Sequence, residues 1–232
     1  MQNKTLVFTA TFNEVENIKF FLASVLKIND IDVLIIDDNS PDGTSKVIKD
    51  HQTSSKNLFL ITREKKEGLD TAHKKAFNFA KENNYKKLIS LDADLSHDPN
   101  KIPLFINQLD FSSFVIGSRY IDGGRNEMTF IRHIQSLIGN KLIKFVLGIN
   151  CDEFTTSYRG FNLEKLKNFN MSQVKSKGYS FFMGTVHLID KLGYDIKQIP
   201  IIFVDRKKGV SKIPKIEALR TLKNLFLLKF FS

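Results

Sequence analysis

The stretch Leu88-Ile89-Ser90-Leu91-Asp92-Ala93-Asp94-Leu95-Ser96-His97-Asp98 decides the reading of this chain. Leu88 to Leu91 is a short apolar run, the pattern of a buried strand. It ends on two aspartates separated by one small residue. At a strand end the chain turns, so two carboxylates at i and i+2 can converge on one hard cation. Mg²⁺ is held in this way by one or two carboxylates together with substrate phosphates. An Asp-x-Asp pair occurs in many acidic turns, so its meaning depends on what the rest of the chain places beside it.

Upstream, three more strands alternate with helices. Thr5 to Thr9 reads as a first strand. A helix should follow, opened by Asn13 as N-cap with Glu16 three residues later and carrying Ile18, Phe21, Leu22, Val25 and Leu26 on one face. Val33 to Ile36 is a continuous apolar run, typical of a strand covered on both faces. It ends in the turn-rich segment Asp37-Asp38-Asn39-Ser40-Pro41-Asp42-Gly43-Thr44, and a short helix follows over 44–51. Leu58 to Thr62 is a third strand, and Gly68 introduces a helix from about Leu69 to Asn83. Downstream, Pro99 to Leu109 reads as a helix and Phe114 to Ile116 as a fifth strand. Strands separated by helices imply βαβ units and a mainly parallel sheet. Ligands in such sheets bind beyond the carboxyl ends of the strands. Ala10–Glu14, Asp37–Asp42, Asp92–Ser96 and Gly117–Tyr120 should therefore line one edge. An edge offering several carboxylates and the Arg119 guanidinium suits a metal, a ribose and a phosphate.

Beyond Tyr120 the pattern changes. Residues 121–126 read as a flexible loop. Phe130 to Leu147 has helical period, with Arg132, His133, Lys141 and Lys144 among apolar residues. Thr155 to Asn162 is a polar loop running into a strand, and Gly178 to Leu192 a helix. Ile196 to Val204 is a strand whose Pro200 argues for an edge or a bulge. The tail from Pro214 to Ser232 places Ile216, Leu219, Leu222, Leu225, Phe226 and Leu228 among Arg220, Lys223 and Lys229, the pattern of a basic amphipathic helix. It either packs back on the domain or lies on an anionic membrane.

Bulk properties limit the function classes. The 232 residues suit one α/β domain with an appendage, and 42% hydrophobic residues can fill a core. Cys151 is the single cysteine, so no internal disulfide forms and a reducing compartment is expected. No signal peptide is expected at the N-terminus, and no apolar stretch reaches membrane-spanning length. The net charge of +10 and pI near 9.5 suggest an anionic partner. The excess is concentrated after residue 205, where Glu217 is the single acid. The five histidines have no zinc-ligand spacing.

Five segments occur in order: Thr11-Phe12-Asn13-Glu14, Asp37 to Thr44, Asp92-Ala93-Asp94-Leu95-Ser96-His97, Gly117-Ser118-Arg119-Tyr120, and Arg206-Lys207-Lys208-Gly209-Val210-Ser211-Lys212. Together they resemble the inverting family 2 glycosyltransferases, and within them the polyprenyl-phosphate (dolichyl-phosphate) mannosyl- and glucosyltransferases. The resemblance covers nearly the whole chain. It implies a Rossmann-like nucleotide-diphospho-sugar transferase fold of GT-A type, a mainly parallel sheet flanked by helices. Residues 1–213 would form the transferase domain, with a nucleotide-sugar half to about 120 and an acceptor half from 121, and 214–232 the amphipathic helix.

The resemblance also implies roles. Ala10, Phe12, Glu14 and Asp38 would hold the nucleotide, with Asp92 and Asp94 serving the ribose edge and a Mg²⁺ or Mn²⁺ on the diphosphate. Ser96 stands where mannosyl-type relatives often have a glutamine as a further metal ligand, and its hydroxyl is the candidate third ligand, directly or through water. Arg119, Arg132 and Ser136 would grip an acceptor phosphate. Arg206 and Lys212, with Asp94, would stabilise the leaving group. A hydroxyl acceptor needs a general base, whereas a phosphate is already ionised. Lys165 to Ile189 contains no acid, and Gly184 occupies about the place where relatives carry a carboxylate. The expected reaction is therefore hexose transfer from a GDP-mannose or UDP-glucose type donor to a dolichyl or undecaprenyl phosphate. It would occur at the cytoplasmic face of a membrane that the C-terminal helix touches peripherally. Two other readings are transfer to a hydroxyl of a cell-surface glycan, and a nucleic-acid-binding module suggested by the charge. The acids along the sheet edge argue against nucleic acid, and no recognised nucleic-acid motif is present.

Overall fold

The computed structural model describes residues 5–205 and 217–231. Nine strands and seven α-helices are described. They are β1 (Thr5–Thr11), α1 (Val15–Val25), β2 (Ile31–Asp37), α2 (Thr44–Gln52), β3 (Leu58–Thr62), α3 (Leu69–Glu82), β4 (Lys87–Ser90), α4 (Ile102–Phe111) and β5 (Phe114–Ser118). There follow β6 (Arg125–Glu127), α5 (Phe130–Leu147), β7 (Arg159–Asn162), α6 (Ser180–Lys191), β8 (Ile196–Pro200), β9 (Ile202–Val204) and α7 (Glu217–Phe231). The main sheet has the order β3-β2-β1-β4-β7-β5-β8. It is parallel except for β7, which runs antiparallel between β4 and β5.

Alternation along each strand feeds two apolar layers. Leu6, Phe8, Leu34, Ile36, Leu88, Phe114 and Ile116 face the layer built with α3 and α6. Val7, Val33, Ile35, Ile89 and Val115 face the layer built with α1 and α4. Each fully buried aliphatic side chain contributes about 1.5–3 kcal/mol relative to exposure, which explains why these runs read as strands so directly. The register brings the strand ends level: Thr11 pairs with Asp37, and Asp37 with Thr62.

Four features differ from the sequence reading. Asn13 does not cap α1. It has φ 56°, a left-handed conformation, and Glu14 takes the cap position without a side-chain bond. The cap comes from the next turn instead, where Asp42 Oδ2 accepts from Val15 N at 3.0 Å. The expected loop over 121–126 contains the start of β6, which pairs with β9 in a small parallel sheet. The single strand expected over 196–204 is two strands in two sheets. Pro200 ends β8 at the edge of the main sheet, and after Ile201 the chain enters β9. Finally, α4 begins as a 3₁₀ turn over Pro99–Lys101, with Asp98 accepting from Asn100 N.

The α7 helix packs against α5 and α6 through Leu225, which is buried in the core. Leu222, Phe226, Leu227 and Phe230 stay exposed. Among the described residues, no helix is long and apolar enough to cross a membrane.

Candidate active site

The carboxyl ends of β1, β2 and β4 converge as the topology requires. Asp37 and Asp42 build the turn they stand in. Asp37 accepts from Thr11 Oγ1 (2.7 Å), Ser40 N (2.9 Å), Ser40 Oγ (2.6 Å) and Ser45 Oγ (2.7 Å). Asp42 accepts from Thr44 N and Oγ1 as well as Val15 N. Burial works against the Asp42 carboxylate, but these donors outweigh it and hold its pKa below the ordinary value. The same turn fixes the β1 loop: Ser40 Oγ accepts from Asn13 N, and Thr44 Oγ1 from Glu14 N. Ala10, Phe12 and Glu14 are thereby set half-buried along the edge.

Asp38 is buried and ion-paired with Arg63. Burial raises its pKa despite the guanidinium. Arg63 also donates to Thr71 Oγ1 at 2.5 Å and Gly68 O at 3.1 Å, so its fork is held rigidly behind Asp38. Arg63 was absent from the sequence reading. It follows β3 directly, and the strand-end rule applied to β3 would have found it. Lys66, which reads as ordinary solvated surface, has its ammonium 4.4 Å from the centre of the Phe12 ring.

At the end of β4 the Asp92 carboxylate is 40% exposed, whereas Asp94 is only 7% exposed. Asp94 Oδ1 accepts from Ser96 N at 3.0 Å, closing a tight turn in which Leu95 takes φ 63°. Ser96 itself is buried, and its carbonyl accepts from Val204 N at 3.2 Å. This bond ties β9, and so the chain leading to residue 206, to the Asp-x-Asp turn. Among the described residues no cluster of three His, Cys, Asp or Glu could hold a metal by itself. Two all-oxygen carboxylates at one turn fit a hard cation whose remaining ligands come from a diphosphate and water.

On the other side of β4 the pattern is different. Arg119 is buried and bound bidentately by Glu153, with Nε to Oε2 at 2.7 Å and Nη2 to Oε1 at 2.8 Å. Its Nη2 also donates to Thr155 Oγ1. The guanidinium lies 5.1 Å from the Tyr120 ring centre and 5.2 Å from that of Phe203. Glu153 is fully buried and also accepts from the backbone N–H groups of Thr155 and Thr156. Burial opposes its ionisation, but Arg119 and these donors outweigh it and keep its pKa low. Arg132 on α5 pairs with Asp205 at 2.8 Å, partly exposed. Ser136, one turn on, accepts from Tyr120 OH at 2.7 Å. Arg119, Arg132 and Ser136 thus share one region, joined through Tyr120. Arg206 and Lys212 lie outside the described residues.

Arg159, inside the segment 155–162, is structural. It is 1% exposed and donates to the carbonyls of Thr156, Phe182 and Phe154. Burial lowers its pKa to about 9. Cys151 is buried and donates to Glu153 O, its thiol pushed up by burial to about 12; it is inert.

The fold has solved counterparts. The mannosyltransferase PcManGT of Pyrobaculum calidifontis, solved with GDP-Man and Mn²⁺, matches with a TM-score of 0.58 at 16% identity over 90% of this chain and 59% of its own. GalNAc-T7, solved with UDP, GalNAc and Mn²⁺, matches with a TM-score of 0.59 at 13% identity over 97% of this chain and 48% of its own. The fold is therefore that of the GT-A nucleotide-sugar transferases. Within that class, the glycosyl transferase family 2 profile matches residues 6–169, and the chain belongs to that family: it is a glycosyltransferase. The undecaprenyl-phosphate mannosyltransferase of Micrococcus luteus is 31% identical over 212 residues, covering 90% of this chain and 87% of the relative. The polyprenol monophosphomannose synthase of Mycolicibacterium smegmatis is 31% identical over 214 residues, 90% of this chain and 81% of the relative.

Proposed function

We propose that this glycosyltransferase moves a hexose, with inversion, from a GDP-mannose or UDP-glucose type donor to a polyprenyl phosphate at the cytoplasmic face of a membrane. One observation carries the acceptor class. Gly184 stands at about the place where hydroxyl-transferring relatives carry their base, and a Cβ built there would lie 2.2 Å from Ser176 Oγ and 3.1 Å from Val174 Cγ1, so the space is taken up by neighbouring side chains and holds no acid. Glu153 is the acid beside Arg119, and it is fully buried, paired and held ionised, so it is not positioned to take a substrate proton. A phosphate monoester needs cations and no base. Arg119, Arg132 and Ser136 would supply that chemistry; one relative is named for an undecaprenyl phosphate and the other for a polyprenol monophosphomannose.

The roles assigned here come from the resemblance and are supported by the geometry. Asp38, backed by Arg63, and the Phe12–Glu14 loop receive the nucleoside. Asp94 and Asp92 are the ligands for a Mg²⁺ or Mn²⁺, which when bound offsets charge developing on the diphosphate leaving group. Ser96 shapes the same turn as its third member. Arg206 and Lys212, outside the described residues, are assigned to the leaving diphosphate by the resemblance alone. The acceptor phosphate attacks the anomeric carbon opposite the departing diphosphate, through an oxocarbenium-like transition state.

The membrane contact has a surface to match. Phe145 on α5 and Phe226 and Phe230 on α7 are exposed beside Lys229 and line a groove of about 550 Å³. An exposed apolar groove with Lys229 at its edge suits an anionic bilayer.

The test is a donor screen with GDP- and UDP-sugars against a polyprenyl phosphate and the matching polyprenol, with and without Mn²⁺. Transfer to the phosphate alone is expected. Equal rates to the free alcohol would overturn the acceptor class. Asp94→Asn should lower turnover about 100-fold or more, the scale of losing one strong electrostatic stabiliser, with an unchanged circular dichroism spectrum.

A further inference from the structure

His97 closes the Asp-x-Asp turn from below and is 1% exposed. Its Nδ1 accepts from Asp92 N at 3.3 Å and lies 3.6 Å from Asp92 Oδ2. With Nδ1 accepting, Nε2 carries the proton and donates to Thr156 Oγ1 at 3.1 Å. Thr156 Oγ1 accepts in turn from Tyr158 N, and Thr156 N donates to Glu153 Oε1 at 3.2 Å. Glu153 is the clamp on Arg119. The rings of Tyr158 and Phe203, centred 5.2 Å and 5.4 Å away, hold the imidazole in place. Phe203 also lies against the Arg119 guanidinium. A residue needed only to shape its own turn would bond within that turn. His97 instead spans from the metal-side turn to the loop that fixes the acceptor-side arginine.

We infer that His97 is a positioning residue that locks the Asp92 turn in register with the Glu153–Thr156 loop, so that one chain of hydrogen bonds, from the Asp92 backbone N–H through His97, Thr156 and Glu153 to Arg119, sets the separation between the metal-bound donor and the acceptor phosphate. This rests on the functional reading above. A displacement of the carboxylate turn relative to the arginine must be taken up by the bonds of this chain. Reacting atoms must be held about 3–3.5 Å apart for efficient transfer, and both partners are referred here to the same imidazole.

The experiment uses the full chain with His97→Phe, which keeps the ring and removes both nitrogens, and the pair Thr156→Val and Thr156→Ser, which remove and keep the hydroxyl. Binding of Mn²⁺ with GDP and with UDP is measured by titration calorimetry, and the KM for polyprenyl phosphate is measured on the same preparations. His97→Phe should weaken Mn²⁺–nucleotide binding about tenfold, the usual scale for a group that orients a ligand from behind, and should also raise the acceptor KM. Thr156→Val should move both quantities in the same direction, and Thr156→Ser should leave both near wild type. The Thr156 pair decides the matter if His97→Phe fails to fold. Wild-type metal affinity in His97→Phe or Thr156→Val would overturn the inference, as would an acceptor KM that stays put while metal affinity falls. Wild-type protein that bound Mn²⁺ with neither nucleotide would instead overturn the functional reading itself.

Discussion

The two sides of β4 are held by different physics. On the nucleotide side, the β1 and β2 turns are laced by many short neutral and charge-assisted bonds: Thr11 to Asp37, Asn13 to Ser40, Glu14 to Thr44 and Val15 to Asp42. No one of them carries the loop. On the acceptor side, a few buried charges do most of the holding, above all Arg119 with Glu153. A distributed network loses about 1 kcal/mol per bond removed. A buried ion pair broken at one end leaves an uncompensated charge and loses about 3–5 kcal/mol. The nucleotide side should therefore degrade gradually under substitution, and the acceptor side should fail at single residues.

The sharpest way to break this contrast is Glu153→Ala against Thr11→Val, compared by urea unfolding. Glu153→Ala should lose about 3–5 kcal/mol, and Thr11→Val about 1 kcal/mol. Similar losses would show that the buried pair has no special weight. Acid should find the same weak point. The Glu153 pKa is held below its ordinary 4.5, so the stability it adds is complete above that pH. It is lost as pH falls through the lowered folded value.

Next in size is the packing at Gly184. Gly184→Ala forces a methyl onto Ser176 Oγ, and overpacking of this kind costs about 1–3 kcal/mol. Ser176 Oγ is buried without a hydrogen-bond partner, so Ser176→Ala should be tolerated alone and should recover most of the loss in the double variant. A Gly184→Ala protein of wild-type stability would mean that the α6 position is open after all, and that a base could be accommodated there.

How much of this was legible beforehand follows from the same contrast. The strands β1 to β5 and helix α5 could be read because burial on both faces, or on one helical stripe, writes a period into the sequence. Asp38, Asp92, Asp94 and Arg119 could be placed because each follows a strand. Glu153 could not. Its partner is 34 residues away, and no local pattern reports a contact between two loops. A strand was expected at the end of the 155–162 loop, but the place and antiparallel direction of β7 escaped for a similar reason: Arg159-Gly160-Phe161-Asn162 has no apolar run, and it fits between β4 and β5 because Gly160 lets Leu109 pack where a side chain would stand. The Asp42 cap on α1 was hidden because it comes from another turn, while Asn13 and Glu16 offered a local cap that the backbone does not use.

A smaller effect tests where the two sides meet. His73 on α3 packs its ring against Phe8 of β1 and against Phe181 and Phe182 of α6, with centroids at 5.0, 5.7 and 5.2 Å. Burial, with the nearby Arg159 charge, lowers its pKa from 6.5 to about 3. The unfolded chain therefore binds a proton below pH 6.5 that the folded chain refuses. Its contribution to stability falls as pH drops from 6.5 towards 3. Going from neutral pH to about pH 5, wild type should lose about 2 kcal/mol more than His73→Leu. Parallel pH profiles for the two proteins would place the acid sensitivity elsewhere.

The smallest expected effect on stability separates binding from holding. Arg132 and Asp205 form a partly exposed pair, 41% and 34% accessible, and such pairs are worth at most about 1 kcal/mol. Arg132→Gln should barely change the unfolding midpoint, unlike any substitution at Glu153. It should nevertheless raise the KM for polyprenyl phosphate about tenfold, because a charge-assisted bond to an anion is worth roughly 1.5–3 kcal/mol. Asp205→Asn should act in the opposite direction, since Asp205 competes with the phosphate for the same guanidinium. An Arg132→Gln protein with unchanged acceptor KM would move the acceptor phosphate away from α5. Arg119 would then have to serve as the acceptor cation while still clamped by Glu153, and the acceptor side would depend on that single buried pair for both stability and binding.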